Sequence, residues 1–197
     1  MHHLPCLIFC FILIGCGTTS KVNLSSEPLI DETSFSFIDA RPTQQKHSIN
    51  NQEAHGKNYY FGDDNLNPSG PALVKATFQK ELNSALTGKT LTLTDFDVHV
   101  YEPIASIDSD TFDTAVASTP GGYAVAPLAE LLILAIEGMK SEKNVTVQIA
   151  GKLNEHSFST NTSENFKGRV TEKNIKDTVK KALEDVISQI ESIVATK

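Results

Sequence analysis

Residues 90–101 read TLTLTDFDVHVY, the most strand-like stretch of the chain. Leu91 and Leu93 alternate on one face, whereas Phe96, Val98 and Val100 alternate in the opposite phase. Period-two alternation belongs to a strand. The change of phase predicts either a β-bulge near Thr94-Asp95 or burial on both faces. Asp95, Asp97 and His99 then share one face of the strand, about 7 Å between alternate residues, with Tyr101 next.

Working outward, Pro71 sits where a helix tolerates a missing N–H, and Val74, Phe78, Leu82, Ala85 and Leu86 fall on one face before Gly88 closes the element. On the other side, residues 102–122 read as a long loop ending in Thr119-Pro120-Gly121-Gly122. Residues 123–139, with the apolar centre LAELLILAIEG, read as a helix buried on most sides. Asn144–Lys152 and His156–Phe166 form a hairpin around Leu153-Asn154-Glu155, with Val145, Val147 and Ile149 facing the core. From Asn174 onward Ile175, Val179, Ala182, Leu183, Val186, Ile187, Ile190, Ile193 and Val194 recur at helical spacing, with Thr171 as the cap. A helix packed on its own sheet explains that stripe more simply than an interhelical coiled coil. Before the central strand, Ser34–Ile38 and Lys57–Gly62 read as short strands, 42–56 as a polar mobile stretch and Asp63–Gly70 as a turn-rich loop.

The order ββαβαββα predicts an α/β domain, an α+β two-layer sandwich: a mixed sheet of about five strands covered by about three helices, the last one long and amphipathic. A domain of about 160 residues buries near 70% of its unfolded surface, so no disulfide is required.

Composition narrows the function classes. The 197 residues carry 17 Lys and Arg against 24 Asp and Glu, a net charge of -7. That balance argues against nucleic acid, whose affinity comes from clustered cations. All three cysteines, Cys6, Cys10 and Cys16, lie in the first sixteen residues. Residues 4–15, LPCLIFCFILIG, are uncharged and mostly apolar. As a helix they span about 18 Å, too short to cross a bilayer but long enough for the apolar region of a secretory signal.

The run ends in Leu13-Ile14-Gly15-Cys16 and turns polar at once. This resembles a bacterial lipoprotein signal, in which cleavage precedes the cysteine and its thiol and new amino group are acylated. The stretch before it holds Met1-His2-His3 where that family carries Lys or Arg. An ordinary secretory signal with an incidental cysteine is the other reading of these residues, and the triplets at Asn23, Asn144 and Asn161 would equally suit a eukaryotic secreted chain. On the lipoprotein reading residues 1–15 are a signal peptide, 16–33 a lipid-anchored flexible tether and 34–197 one globular domain. Gly17 in place of Asp implies, by the same resemblance, the outer membrane, with the domain facing the periplasm. The carboxy-terminal half also resembles the YajG-type family of small outer-membrane lipoproteins, through VTVQIAGKL, its hairpin partner, TEKNIKDTVKKALEDVISQI and, more loosely, SFSFIDARP. That resemblance implies a periplasm-facing α/β domain and supplies no catalytic residues.

Chemistry is sparse. Gly88-Lys89-Thr90 lacks the earlier glycine of a phosphate loop, since position 83 is Asn, and it follows a helix rather than a strand. Asp95, Asp97 and His99 are the best acidic and imidazole cluster, a weak candidate for a metal or acid–base site. Its plainer reading is the solvated face of a strand, because His47, His55 and His156 have no spacing that completes it. Asp63 and Asp64 read as loop caps rather than calcium ligands. Tyr59, Tyr60, Phe61 and Phe112, beside the long loops, read as core edges before partner anchors. The expectation is a non-enzymatic binding or structural module with no metal or cofactor, held to the membrane through Cys16, with an envelope protein as partner. An auxiliary subunit of a lipid or solute transport system is the alternative, favoured by any basic or apolar groove. An enzyme centred on Asp95, Asp97 and His99 is the third.

Overall fold

The computed structural model describes residues 21–25, 33–53, 56–103 and 142–195. The described strands are β1 (Val22–Asn23), β2 (Ser36–Asp39), β3 (Ile49–Glu53), β4 (Gly56–Phe61), β5 (Leu66–Asn67), β6 (Thr90–Pro103), β7 (Glu142–Leu153) and β8 (His156–Lys167). The described α-helices are α1 (Gly70–Leu86) and α2 (Glu172–Ala195), and a 3-10 turn spans Thr43–Lys46. The main sheet runs β3-β4-β6-β7-β8, antiparallel throughout, with β2 added in parallel to β6. β2 and β4 share one side of β6 in turn: β2 pairs with residues 90–93 and β4 with residues 98–103.

The phase change in β6 is a bulge between Leu93 and Asp95. It turns Leu91, Leu93, Phe96, Val98 and Val100 to a single buried face, none more than 4% exposed. One face of the sheet therefore becomes core, and both helices lie on it. Val145, Val147 and Ile149 are fully buried beside it, as the alternation in the hairpin requires. Phe78 of α1 meets Phe158 of β8 edge-on at 6.3 Å. Gly151 makes room there, because a Cβ would sit 2.6 Å from the Phe158 ring and 2.4 Å from the Thr92 carbonyl oxygen. α2 buries Ile175, Val179, Ala182, Leu183, Val186 and Ile190. At about 1.5–3 kcal/mol for each large side chain, that stripe accounts for the helix far better than intrinsic propensity does. Thr171 caps it: Asn174 N–H donates to Thr171 Oγ1 at 3.3 Å, and Thr171 N–H donates back to Asn174 Oδ1 at 2.9 Å.

Several expectations need correction. The fold is mixed α/β with a mostly antiparallel sheet and a long C-terminal helix, but about five strands and three helices is not the described count. The main sheet has six strands, two further strands pair apart from it, and the described α-helices number two among the described residues. The stretch 42–56, expected to be mobile, holds the 3-10 turn and β3. Its polar side chains gave no alternation because β3 is exposed on both faces. Asp63–Gly70, expected as loop alone, contains β5, which pairs in parallel with β1. β1 lies inside the stretch expected as tether, and Leu24 beside it is 5% exposed in the core. Short pairing of this kind leaves no periodic signal in sequence. The helix expected at 123–139 and all but the first two residues of the expected 102–122 loop lie outside the described residues, as does the signal expected at 1–15.

Candidate functional site

Asp95, Asp97 and His99 do share one face of β6, opposite Phe96, Val98 and Val100, as their spacing requires. That face is half-buried rather than fully solvated, because β4 and β7 flank it. Gln148 of β7 donates from Nε2 to Asp95 Oδ2 at 2.6 Å. Burial still pushes the Asp95 carboxyl above the usual range, against hydrogen bonds from Gln45 and Gln148. His99 Nε2 donates to Asn58 Oδ1 at 2.8 Å, and the Tyr60 ring stacks on the imidazole at 4.4 Å. Burial lowers the His99 pKa. Asp97 is pushed up to about 6 by burial and then by the charge of Asp95. Asp95 and His99 thus hold different neighbours, one on each side of the strand. Among the described residues no group of three or more His, Cys, Asp or Glu side chains could hold a metal ion. His47 and His156 are exposed at other places in the fold, and His55, Phe112 and Cys16 lie outside the described residues. Tyr59 and Phe61 pack against the core, as expected, while Tyr60 turns to His99.

Two features went unread in the sequence. The first is a charged fork beneath the β2 end. Arg41, with its side chain 1% exposed, donates to Asp39 Oδ1 at 2.9 Å and to Asp63 Oδ2 at 2.8 Å. Asp63 also accepts the Gly70 N–H at 3.2 Å, so it caps the start of α1. Asp64 accepts from Ser48 Oγ at 2.6 Å. The capping role expected of this acidic pair is therefore present, but its main partner is an arginine 22 residues upstream of Asp63. Only the sequence Asp-Ala-Arg at 39–41 hinted at it.

The second is a groove between α1 and α2, about 500 Å³ in volume, to whose lining Leu24 and Ser25 also contribute. Leu24, Leu73, Val179, Leu183 and Ile187 line it with aliphatic surface. Lys80, Lys176, Lys180, Glu81 and Glu184 line it as well. Lys180 and Glu184 are one turn apart and 3.5 Å from each other. The α1 stripe read from sequence, centred on Val74, Phe78 and Leu82, faces the sheet; the groove uses the neighbouring face of Leu73, Ala76 and Thr77.

Comparison with protein-family models, with curated proteins and with solved structures finds no match to this chain.

Proposed function

We propose that the protein is a lipid-anchored module of the bacterial envelope, acylated at Cys16, that binds rather than transforms its ligand. The observation that carries this reading is that Leu24, the residue after β1, lines the groove. Val22 N–H donates to the Asn65 carbonyl at 2.8 Å and Leu24 N–H to the Asn67 carbonyl at 2.7 Å. Five residues, 17–21, lie between Cys16 and Val22, and the six Cα steps span at most about 20 Å. An anchor at Cys16 would keep the α1–α2 groove close to the membrane surface, and several acyl chains at about 0.8 kcal/mol per methylene make such an anchor stable. The outer-membrane address and the kinship with the YajG-type lipoproteins belong to the same proposal, resting on Leu13–Gly17 and on the β7, β8 and α2 sequences. Asp95 and His99 are engaged by separate structural partners, which favours binding over catalysis. The groove also supports a second reading, an auxiliary subunit of envelope lipid transport.

Cys16→Ser decides the anchor. The protein is expected to move from the membrane fraction to the soluble fraction of the envelope. Retention in the membrane fraction would refute the lipoprotein reading.

A further inference from the structure

We infer that the groove between α1 and α2 takes the acyl chain of a single-chain lipid with an anionic head. The supply of that ligand rests on the anchored reading; the binding chemistry does not. Its volume, about 500 Å³, is in the range of roughly 300–1,000 Å³ usual for small-molecule sites. The apolar lining comes from Leu24, Leu73, Val179, Leu183 and Ile187, all aliphatic, and among the described residues no aromatic ring lines it to stack on a planar ligand. A flexible hydrocarbon chain is the complement of such a wall. The lining also holds three ammonium groups, from Lys80, Lys176 and Lys180, against two carboxylates, from Glu81 and Glu184, with Lys180 3.5 Å from Glu184. The local excess is positive although the chain as a whole carries -7. Lys176 and Lys180 are neighbours on one face of α2, so a carboxylate or phosphate head meets Lys176 directly and competes with Glu184 for Lys180 one turn on. Lengthening the ligand within the groove removes more apolar surface from water, so affinity should climb with chain length until the groove is full.

The test uses the full chain carrying Cys16→Ser, so that its outcome is independent of acylation. The probe is cis-parinaric acid, a fluorescent fatty acid, displaced by decanoate, dodecanoate and tetradecanoate and by neutral monoacylglycerols of the same lengths. Each two-carbon step is expected to tighten binding about tenfold, and each neutral analogue to bind more weakly than its acid. Ala76→Phe, which fills the groove from α1, should abolish the probe signal. The surface pair Lys176→Glu and Lys180→Glu, which leaves the aliphatic lining intact, should erase the preference for the acid while the melting temperature holds. No probe binding by the folded protein overturns the inference, as does equal affinity for acids and neutral analogues. Binding that survives both variants places the lipid elsewhere and overturns it too. Attachment to intact anionic vesicles without uptake of monomeric acid would make the groove a membrane-docking face, and a dimer broken by Ala76→Phe would give it to a second copy; either result sinks the proposal. Fractionation of Cys16→Ser reads the anchor separately, so the two can fail independently.

Discussion

Arg41 shows how much a single side chain decides at the residue scale. Its guanidinium holds Asp39 through Nε and Nη2 and Asp63 through Nη1 and Nη2, tying β2 to the turn that starts α1. Burial by itself would raise the Asp39 carboxyl, but the hydrogen bonds and charge of Arg41, with Lys46 behind, hold it below the usual range. Arg41→Ala strands two carboxylates that are each 26% exposed, and should cost about 3 kcal/mol in urea unfolding. Arg41→Lys should recover only part, because an ammonium cannot reproduce the fork. Asp97 works in the opposite direction. Its folded pKa, about 6, lies above the unfolded value near 3.8, so ionisation is disfavoured in the fold. The sign follows: stability associated with this carboxyl is full below about pH 4 and falls as pH rises toward and through 6. Asp97→Asn should therefore stabilise the protein by about 1–2 kcal/mol at pH 8, after discounting for the group's exposure. The gain should vanish at pH 4, which paired unfolding curves at the two pH values will show. Of these residues the sequence exposed Asp97 through its spacing, but it could not expose Arg41. Fork geometry depends on Asp63 arriving from another turn, a contact with no local signature.

At the element scale, α2 guards the outer edge of the sheet. β8 is a twelve-residue edge strand with unbroken register, a template open to further pairing. A column of α2 side chains fences it: Lys181 bonds Glu164, Asp185 accepts from Thr162 Oγ1 at 3.1 Å, and Gln189 engages Ser159. The Gln189 amide accepts the Ser159 N–H at 3.1 Å and donates to the Ser159 carbonyl at 2.9 Å, occupying the edge as a strand would. Gln189→Ala should cost about 1 kcal/mol and raise concentration-dependent self-association, measured by sedimentation. Thr171→Ala removes the cap of α2 and should cost about 1 kcal/mol in the same unfolding assay. The elements with strong burial were legible: the α2 stripe, the β7–β8 hairpin and the shifted phase in β6 each follow from where apolar residues must point. β1, β3 and β5 were not, because two-residue pairings and a strand exposed on both faces impose no alternation. The groove was equally hidden, since it arises from two helices meeting and not from either one.

At the scale of the molecule, the described sheet presents one polar face and one core face, and the groove lies between the two helices that cover the core face. β1 is the thinnest part of this arrangement. Among the described residues its amides join β5 and the Glu172 carboxylate, to which Asn23 N–H donates at 3.2 Å. Amide exchange should consequently be faster at Val22 and Leu24 than at the buried strand residues Val98 and Val147, by local opening that leaves the main sheet intact. Protection at Val22 equal to that at Val98 would contradict this. The same weakness gives the fold a mechanical property. Tension drawn through residue 21 loads the bonds of Val22, Asn23 and Leu24 before any in the main sheet. Ser34 is fastened separately: its backbone N–H is held by Gln79 at 3.1 Å and its hydroxyl by Asn83. Leu24 is drawn out of the groove lining when the β1 bonds part, so β1 acts as a shear pin: the hold on residue 21 and the wall of the groove depend on one latch, and a sufficient pull releases both.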